Sequence, residues 1–120
     1  MTAREVLEEI LISLKNIKGV EESAVVTRDG LLVSSTVSRT INADTFVAMA
    51  ATMFGAGEIA SIELGKGATS RIIVESRTTK LIATGAGPKV LLVVMTRPDA
   101  GLGMILLEMK KASDKIKEVL

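Results

Sequence analysis

Between Asp44 and Glu58 the chain reads TFVAMAATMFGAG, a stretch without a single charge that carries both phenylalanines of the sequence. Asn42 or Asp44 can cap a helix here, and LGKG, Leu64 to Gly67, can stop it. A helix of about twenty residues spans roughly 30 Å, the width of a small domain. On a wheel of about 100° per residue, Phe46, Met49, Ala50, Met53, Phe54 and Gly57 form one stripe, the expected face toward a sheet. Ala48, Ala51, Thr52, Gly55 and Ile59 form the opposite side, where an ordinary surface helix would carry Lys, Glu or Arg. The charge-free run falls short of the roughly 18 apolar residues that a membrane-spanning helix needs, so no transmembrane segment is expected. The helix then has to be covered on more than one side.

The rest of the chain supplies one cover. Thr2 followed by Glu5 is a capping-box pair, and Val6, Leu7, Ile10, Leu11, Leu14 and Ile17 recur at helical spacing, which predicts an amphipathic helix over 3–18 closed by Gly19. VEESAVVTRDGLLVSST reads as two strands around a tight turn at Arg28-Asp29-Gly30. SRIIVES, TKLIATG and VLLVVMT are three further strands with connections too short for anything but antiparallel neighbours. Pro98-Asp99 ends the last of them. Asp99 can cap a final helix with Leu102, Ile105, Leu106, Met109, Ala112, Ile116 and Leu120 on its inner face. The predicted fold is α+β, in the order α-β-β-α-β-β-β-α, with a five-stranded antiparallel sheet flanked by helices. At 120 residues the chain is one domain, 1–120. The two amphipathic helices can cover one sheet face, which leaves little protein to cover the outer side of the second helix. A second copy of the chain is the economical cover, and closed twofold dimers suit a self-complementary surface with small residues. The alternative is a helix wedged between sheet and loops within one subunit.

Chemistry is narrowly bounded. There is no histidine, cysteine, tyrosine or tryptophan, which removes thiol nucleophiles, His-based triads, Cys or His metal ligands and most aromatic platforms for bases. Asp29 in a turn, Asp44 and Asp99 at helix starts and Asp114 on a polar helix face are each accounted for structurally. No enzyme, cofactor or metal is expected. A formal charge of +1, from 15 Lys and Arg against 14 Asp and Glu, gives no footprint for nucleic acid. The lack of cysteine and of an apolar leader core reads as cytoplasmic. Glycine clusters at GAGPK (Gly85–Lys89), GKG (Gly65–Gly67) and GLG (Gly101–Gly103) do not fit a phosphate-loop pattern and read as a hairpin, a helix stop and a loose helix start. Arg71 and Arg77 flank the third strand as edge residues.

The order of elements, AVVTRDGLLVSS on the first hairpin, the Ala-rich second helix ending in ELGKG, the strand SRIIVES and GLGMILLEMKK on the last helix resemble the roadblock family, which includes roadblock-type dynein light chains, MglB-like polarity regulators and Ragulator subunits. The resemblance covers nearly the whole chain. It implies a roadblock/profilin-like fold and a homodimer, or a heterodimer of similar chains, with third strands paired edge to edge and second helices side by side. The implied interface is Phe46, Met49, Ala50, Ala51, Met53, Phe54 and Gly55 on the helix with Arg71, Ile72, Ile73 and Val74 on the strand, and the helical side that meets the partner stays open. The hairpin SRTTK departs from the pattern, since a tight turn there would use Gly or Asn.

Family members bind Ras-like small GTPases or act as adaptors. The reading that follows is a non-enzymatic dimeric regulator that docks a small GTPase and modulates its nucleotide cycle or localisation. A structural adaptor without GTPase contact and a profilin- or PAS-like small-molecule sensor are the alternatives.

Overall fold

The computed structural model describes residues 1–120. Its elements are α1 (Ala3–Lys15), β1 (Val20–Thr27), β2 (Leu32–Ser35), α2 (Ala43–Glu63), β3 (Arg71–Glu75), β4 (Lys80–Gly85), β5 (Val90–Thr96) and α3 (Leu102–Val119). All neighbours in the sheet are antiparallel, in the order β2-β1-β5-β4-β3, so β2 and β3 are the edges. This is the predicted α+β order.

The sheet separates two cores. On one face α1 and α3 bury Leu7, Leu11, Leu14, Ile105, Met109 and Ile116 against Val25, Ile82, Leu92 and Val94. On the other, α2 alone places Val47, Ala50, Ala51 and Phe54 over Ala24, Val26, Ala83, Leu91 and Val93. The continuous apolar run of β5 follows from its position: Val90, Leu92 and Val94 face one core, Leu91 and Val93 the other.

The local signals that set these elements are specific. The Glu5 amide donates to Thr2 Oγ1 at 3.2 Å and the Thr2 amide to Glu5 Oε1 at 3.4 Å, closing the capping box. Helix α1 stops three residues before the expected Lys18. Asn16 to Gly19 instead form a turn, in which Gly19 has φ +93° and would carry a Cβ only 2.6 Å from Ala100 Cβ. Only a glycine combines that backbone with that approach.

Asn42, not Asp44, caps α2, accepting from the Thr45 amide at 3.2 Å. Its far end closes in a Schellman pattern, with Lys66 N–H donating to Ser61 O and Gly65 N–H to Ile62 O. Asp99 does not cap α3. Gly101 holds that position without a side-chain bond, and Asp99 lies 3.5 Å from Arg97. Leu120, assigned to the inner face of α3, is exposed, because the helix ends at Val119 beyond the sheet.

The SRTT turn needs no glycine. Ser76 Oγ accepts from the amides of Thr78 and Thr79, and the Ser76 amide donates to Thr79 O, so side-chain bonding makes the turn and fixes Glu75 opposite Lys80.

Candidate functional site

The wheel position of α2 is the main correction to the sequence reading. Met49, assigned to the sheet-facing stripe, is 59% exposed, and Ala51, assigned to the outer side, is 5% exposed against the sheet. The buried set Val47, Ala50, Ala51 and Phe54 recurs at intervals of three and four along the helix, with its centre between Val47 and Phe54. The reason is the near uniformity of the segment. Ala, Met and Gly all round leave little apolar contrast to orient the helix, and the large side chains it buries fully against the sheet are Val47 and Phe54.

Ala48, Met49, Thr52, Ala56, Ile59, Ala60 and Ile62 are consequently exposed, and the exposed charges of α2, Asp44 and Glu63, stand only at its two ends. By length, and by a mean hydropathy of 1.4 over its most apolar window, α2 would be apolar enough to cross a membrane, although only 22% of that window is buried. Its inner face is nevertheless committed to the sheet, so α2 is a structural layer with an unusually apolar outside.

Strand β3 continues this surface. Ile72 packs toward the α2 core and Ile73 toward the α1/α3 core, so alternation puts Ile72 and Val74 on the α2 side and Arg71 and Ile73 on the other. Gly57 is where helix and strand approach: a Cβ there would lie 2.4 Å from Ile72 Cδ1. The outer N–H and C=O groups of β3 have no strand neighbour.

Of the residues singled out by sequence, Met49 and Val74 are exposed, Phe46, Met53, Gly55, Ile72 and Ile73 are half-buried, and Arg71 is exposed at the start of β3. Ala50, Ala51 and Phe54 lie under their own helix. Physical continuity brings Met49, Met53, Ile72 and Val74 to one side. Ala56, Ile59 and Ile62 complete the outer face of α2 and were missed in the interface set. Their signal was available, as uncharged residues at helical spacing beyond Phe54.

Arg28 was also missed. From the first hairpin turn its guanidinium stacks over Phe54, 5.4 Å from the ring centroid, its Nη2 donates to Gly87 O at 2.9 Å and its Nη1 lies 3.5 Å from Glu58. One side chain thereby joins the first turn, α2 and the β4–β5 turn.

Two aspartates elsewhere are engaged locally. Asp29 accepts from Thr27 Oγ1 in the first turn, and Asp114 accepts from Lys110 Nζ at 2.9 Å with Lys117 Nζ at 3.7 Å. The Lys110 hydrogen bond, joined by the charges of Lys110 and Lys117, outweighs desolvation and lowers the Asp114 pKa below its ordinary 3.8.

A twisted five-stranded antiparallel sheet with two helices on one face and one long apolar helix on the other defines the class. The chain belongs to the Roadblock/LC7 domain family, whose sequence model matches residues 6–96. It is 35% identical over 111 residues to the Methanocaldococcus jannaschii protein MJ0310, which covers 92% of this chain and 96% of that relative. Among solved structures it is similar to Myxococcus xanthus MglB, with a TM-score of 0.89 at 22% identity over 97% of this chain and 88% of that one. It is also similar to MglB in a tetrameric arrangement, with a TM-score of 0.88 at 20% identity over 99% of this chain and 90% of that one. At those identities the structural likeness establishes the fold.

Proposed function

We propose that this chain is a non-enzymatic, cytoplasmic regulator that works as a homodimer and docks a Ras-like small GTPase. Two copies pair their β3 edges across a twofold axis and lay their α2 helices side by side, making a ten-stranded sheet from two five-stranded ones. The observation that carries the reading is the uncharged outer face of α2 lying beside an unpaired sheet edge. Water does not suit the apolar face, the open edge is a ready template for a further strand, and a second copy covers both at once. The GTPase part rests on membership of the family, whose resemblance implies such partners. The composite surface would act on hydrolysis or exchange by positioning the GTPase's own residues, since the chain has no histidine or cysteine to contribute.

Light scattering across concentration tests the dimer on wild type, Met49→Glu and Ile59→Glu. The expected result is a dimer that both substitutions convert to folded monomers. Hydrolysis and exchange rates of the source organism's small GTPases, measured with and without the dimer, then test the partner. A monomer at every concentration refutes the assembly. A dimer that leaves every such rate unchanged and retains no GTPase refutes the regulatory part and leaves the adaptor.

A further inference from the structure

Where β3 begins and β4 ends, a cavity of about 490 Å³ opens beside α3, with Pro88 in its lining but no Val, Leu, Ile, Met or Phe. Its volume falls within the roughly 300–1,000 Å³ of small-ligand sites, but its chemistry is the reverse of an apolar pocket. Arg28 reaches it from the first turn, Arg71 from β3, and Lys110 and Lys117 from α3, and no carboxylate is in the lining. Ser70 adds a hydroxyl.

The four cations are incompletely neutralised. Lys110 and Lys117 share the single carboxylate of Asp114, and Arg28 Nη1 stands 3.5 Å from Glu58. Arg71 pairs with no carboxylate, and Arg28 Nε is buried without a hydrogen-bond partner. Four positive charges against two negative ones, drawn from separate parts of the chain to one concavity, leave a net positive potential there that favours a negative occupant, although water screens the exposed lysines in part.

The backbone makes room for this convergence. A Cβ on Gly85 would lie 3.0 Å from Arg28 Nη2, and one on Gly87, at φ +88°, would lie 3.3 Å from Lys117 Cγ. The two glycines of GAG, read from sequence as hairpin residues, therefore also admit the Arg28 and Lys117 side chains. Arg28 is already fixed by Phe54 and Gly87 O, so little side-chain freedom would be lost on binding.

We propose that this cavity binds a small polyvalent oxyanion, the phosphate or diphosphate group of a free metabolite or nucleotide, between the Arg28 and Arg71 guanidiniums and the Lys110 and Lys117 ammoniums. Planar guanidiniums and point-charge ammoniums together match an anion with several acceptor oxygens. The site overlaps the proposed dimer contact only at Arg71, at the start of β3, since Lys110 and Lys117 lie on α3 and Arg28 in the first turn.

The test is titration of the full chain with pyrophosphate and with inorganic phosphate, followed by amide chemical shifts and calorimetry, with sodium chloride at matched ionic strength as control. Saturable shifts at residues 70, 71, 84–87, 110 and 117 are expected with pyrophosphate and not with chloride. Arg71→Gln and Lys117→Gln should each weaken binding about five- to tenfold, the size of one lost charge-assisted contact at a partly exposed site. Asp114→Asn, which frees both lysines, should tighten binding, an effect no folding defect can imitate. If Arg71→Gln also alters the mass in light scattering, Lys117→Gln decides. Shifts reproduced by chloride, or affinities unmoved by Lys117→Gln and Asp114→Asn, overturn the proposal. So does binding to vesicles containing phosphatidic acid without binding to free pyrophosphate, which would make the ligand a lipid headgroup.

Discussion

Ala51→Glu and Met49→Glu form the most discriminating pair of substitutions, because two residues along the helix reverse the physics. Ala51 is 5% exposed and sits in the cluster formed by Ala24, Val26, Phe54, Leu91 and Val93, with no cation among its members. A carboxylate placed there loses its hydration without a partner, at a cost of about 3–5 kcal/mol after relaxation. A domain of this size is stable by about 5–15 kcal/mol, so between about a fifth and all of that is removed. At roughly 3–6 °C per kcal/mol, the melting temperature should fall by about 10–30 °C.

Met49 is 59% exposed, and a glutamate there should change the stability of the isolated fold by no more than about 0.5 kcal/mol. Its effect should appear in the mass. Circular dichroism during heating, with light scattering on the same samples, reads both. The reasoning is refuted if Ala51→Glu melts within about 3 °C of wild type while Met49→Glu unfolds, since α2 would then present its opposite side to the sheet.

Other perturbations read separate parts of the fold. Gly19→Ala forces a side chain into φ +93° and against Ala100, so a loss of about 1–3 kcal/mol is expected in urea unfolding, larger than for an ordinary turn glycine. Gly55 has open space where a Cβ would go, so Gly55→Ala should stabilise the isolated chain by about 0.5–1 kcal/mol at dilutions where light scattering gives a monomer. A loss at those dilutions would mean that the chain itself crowds this position. Asp114 has a lowered folded pKa, chiefly through its Lys110 hydrogen bond. Its contribution is therefore present above the unfolded carboxylate value and lost as pH falls through the lower folded one. Asp114→Asn should lower the urea midpoint at neutral pH, with the difference vanishing in strong acid and shrinking in high salt, because the pair is half exposed.

Sequence alone was sufficient wherever one residue's chemistry admits one local solution. Thr2 with Glu5 marked the start of α1, Asp29-Gly30 the first turn and the unbroken VLLVVMT a strand buried on both faces, because caps, tight turns and central strands each impose a composition. It was insufficient where the deciding interaction is distant. Helix α1 ends at Lys15 because Asn16 to Gly19 must turn to bring Gly19 against the Arg97–Ala100 segment, where Arg97 N–H donates to Gly19 O at 2.8 Å. Nothing within the helix announces that. For the site, the uncharged character of α2 was legible and its rotation was not. The Arg28, Arg71, Lys110 and Lys117 cluster was invisible because its members come from positions between 28 and 117 that only the sheet order brings together.

The two sheet faces are closed in different ways. Helices α1 and α3 are amphipathic, so the core they cover is closed on its outer side by exposed Lys and Glu such as Glu8, Lys110 and Glu118. Helix α2 closes the other core with the four side chains that face inward and leaves its own outside apolar. Were α2 merely a lid, charged residues at Ala48, Thr52, Ala56 and Ile59 would solvate it without touching the packing of Val47, Ala50, Ala51 and Phe54. Their absence has no use to the monomer. It also sets the relation between the two proposed sites, because the surface given to a second subunit lies over α2 and the β3 edge, whereas the cationic cavity opens beside α3 and shares only Arg71, at the start of β3, with that surface. A second subunit seated on α2 would leave Lys110 and Lys117 accessible, so subunit association and anion binding should respond to different substitutions: Met49→Glu to the first and Lys117→Gln to the second.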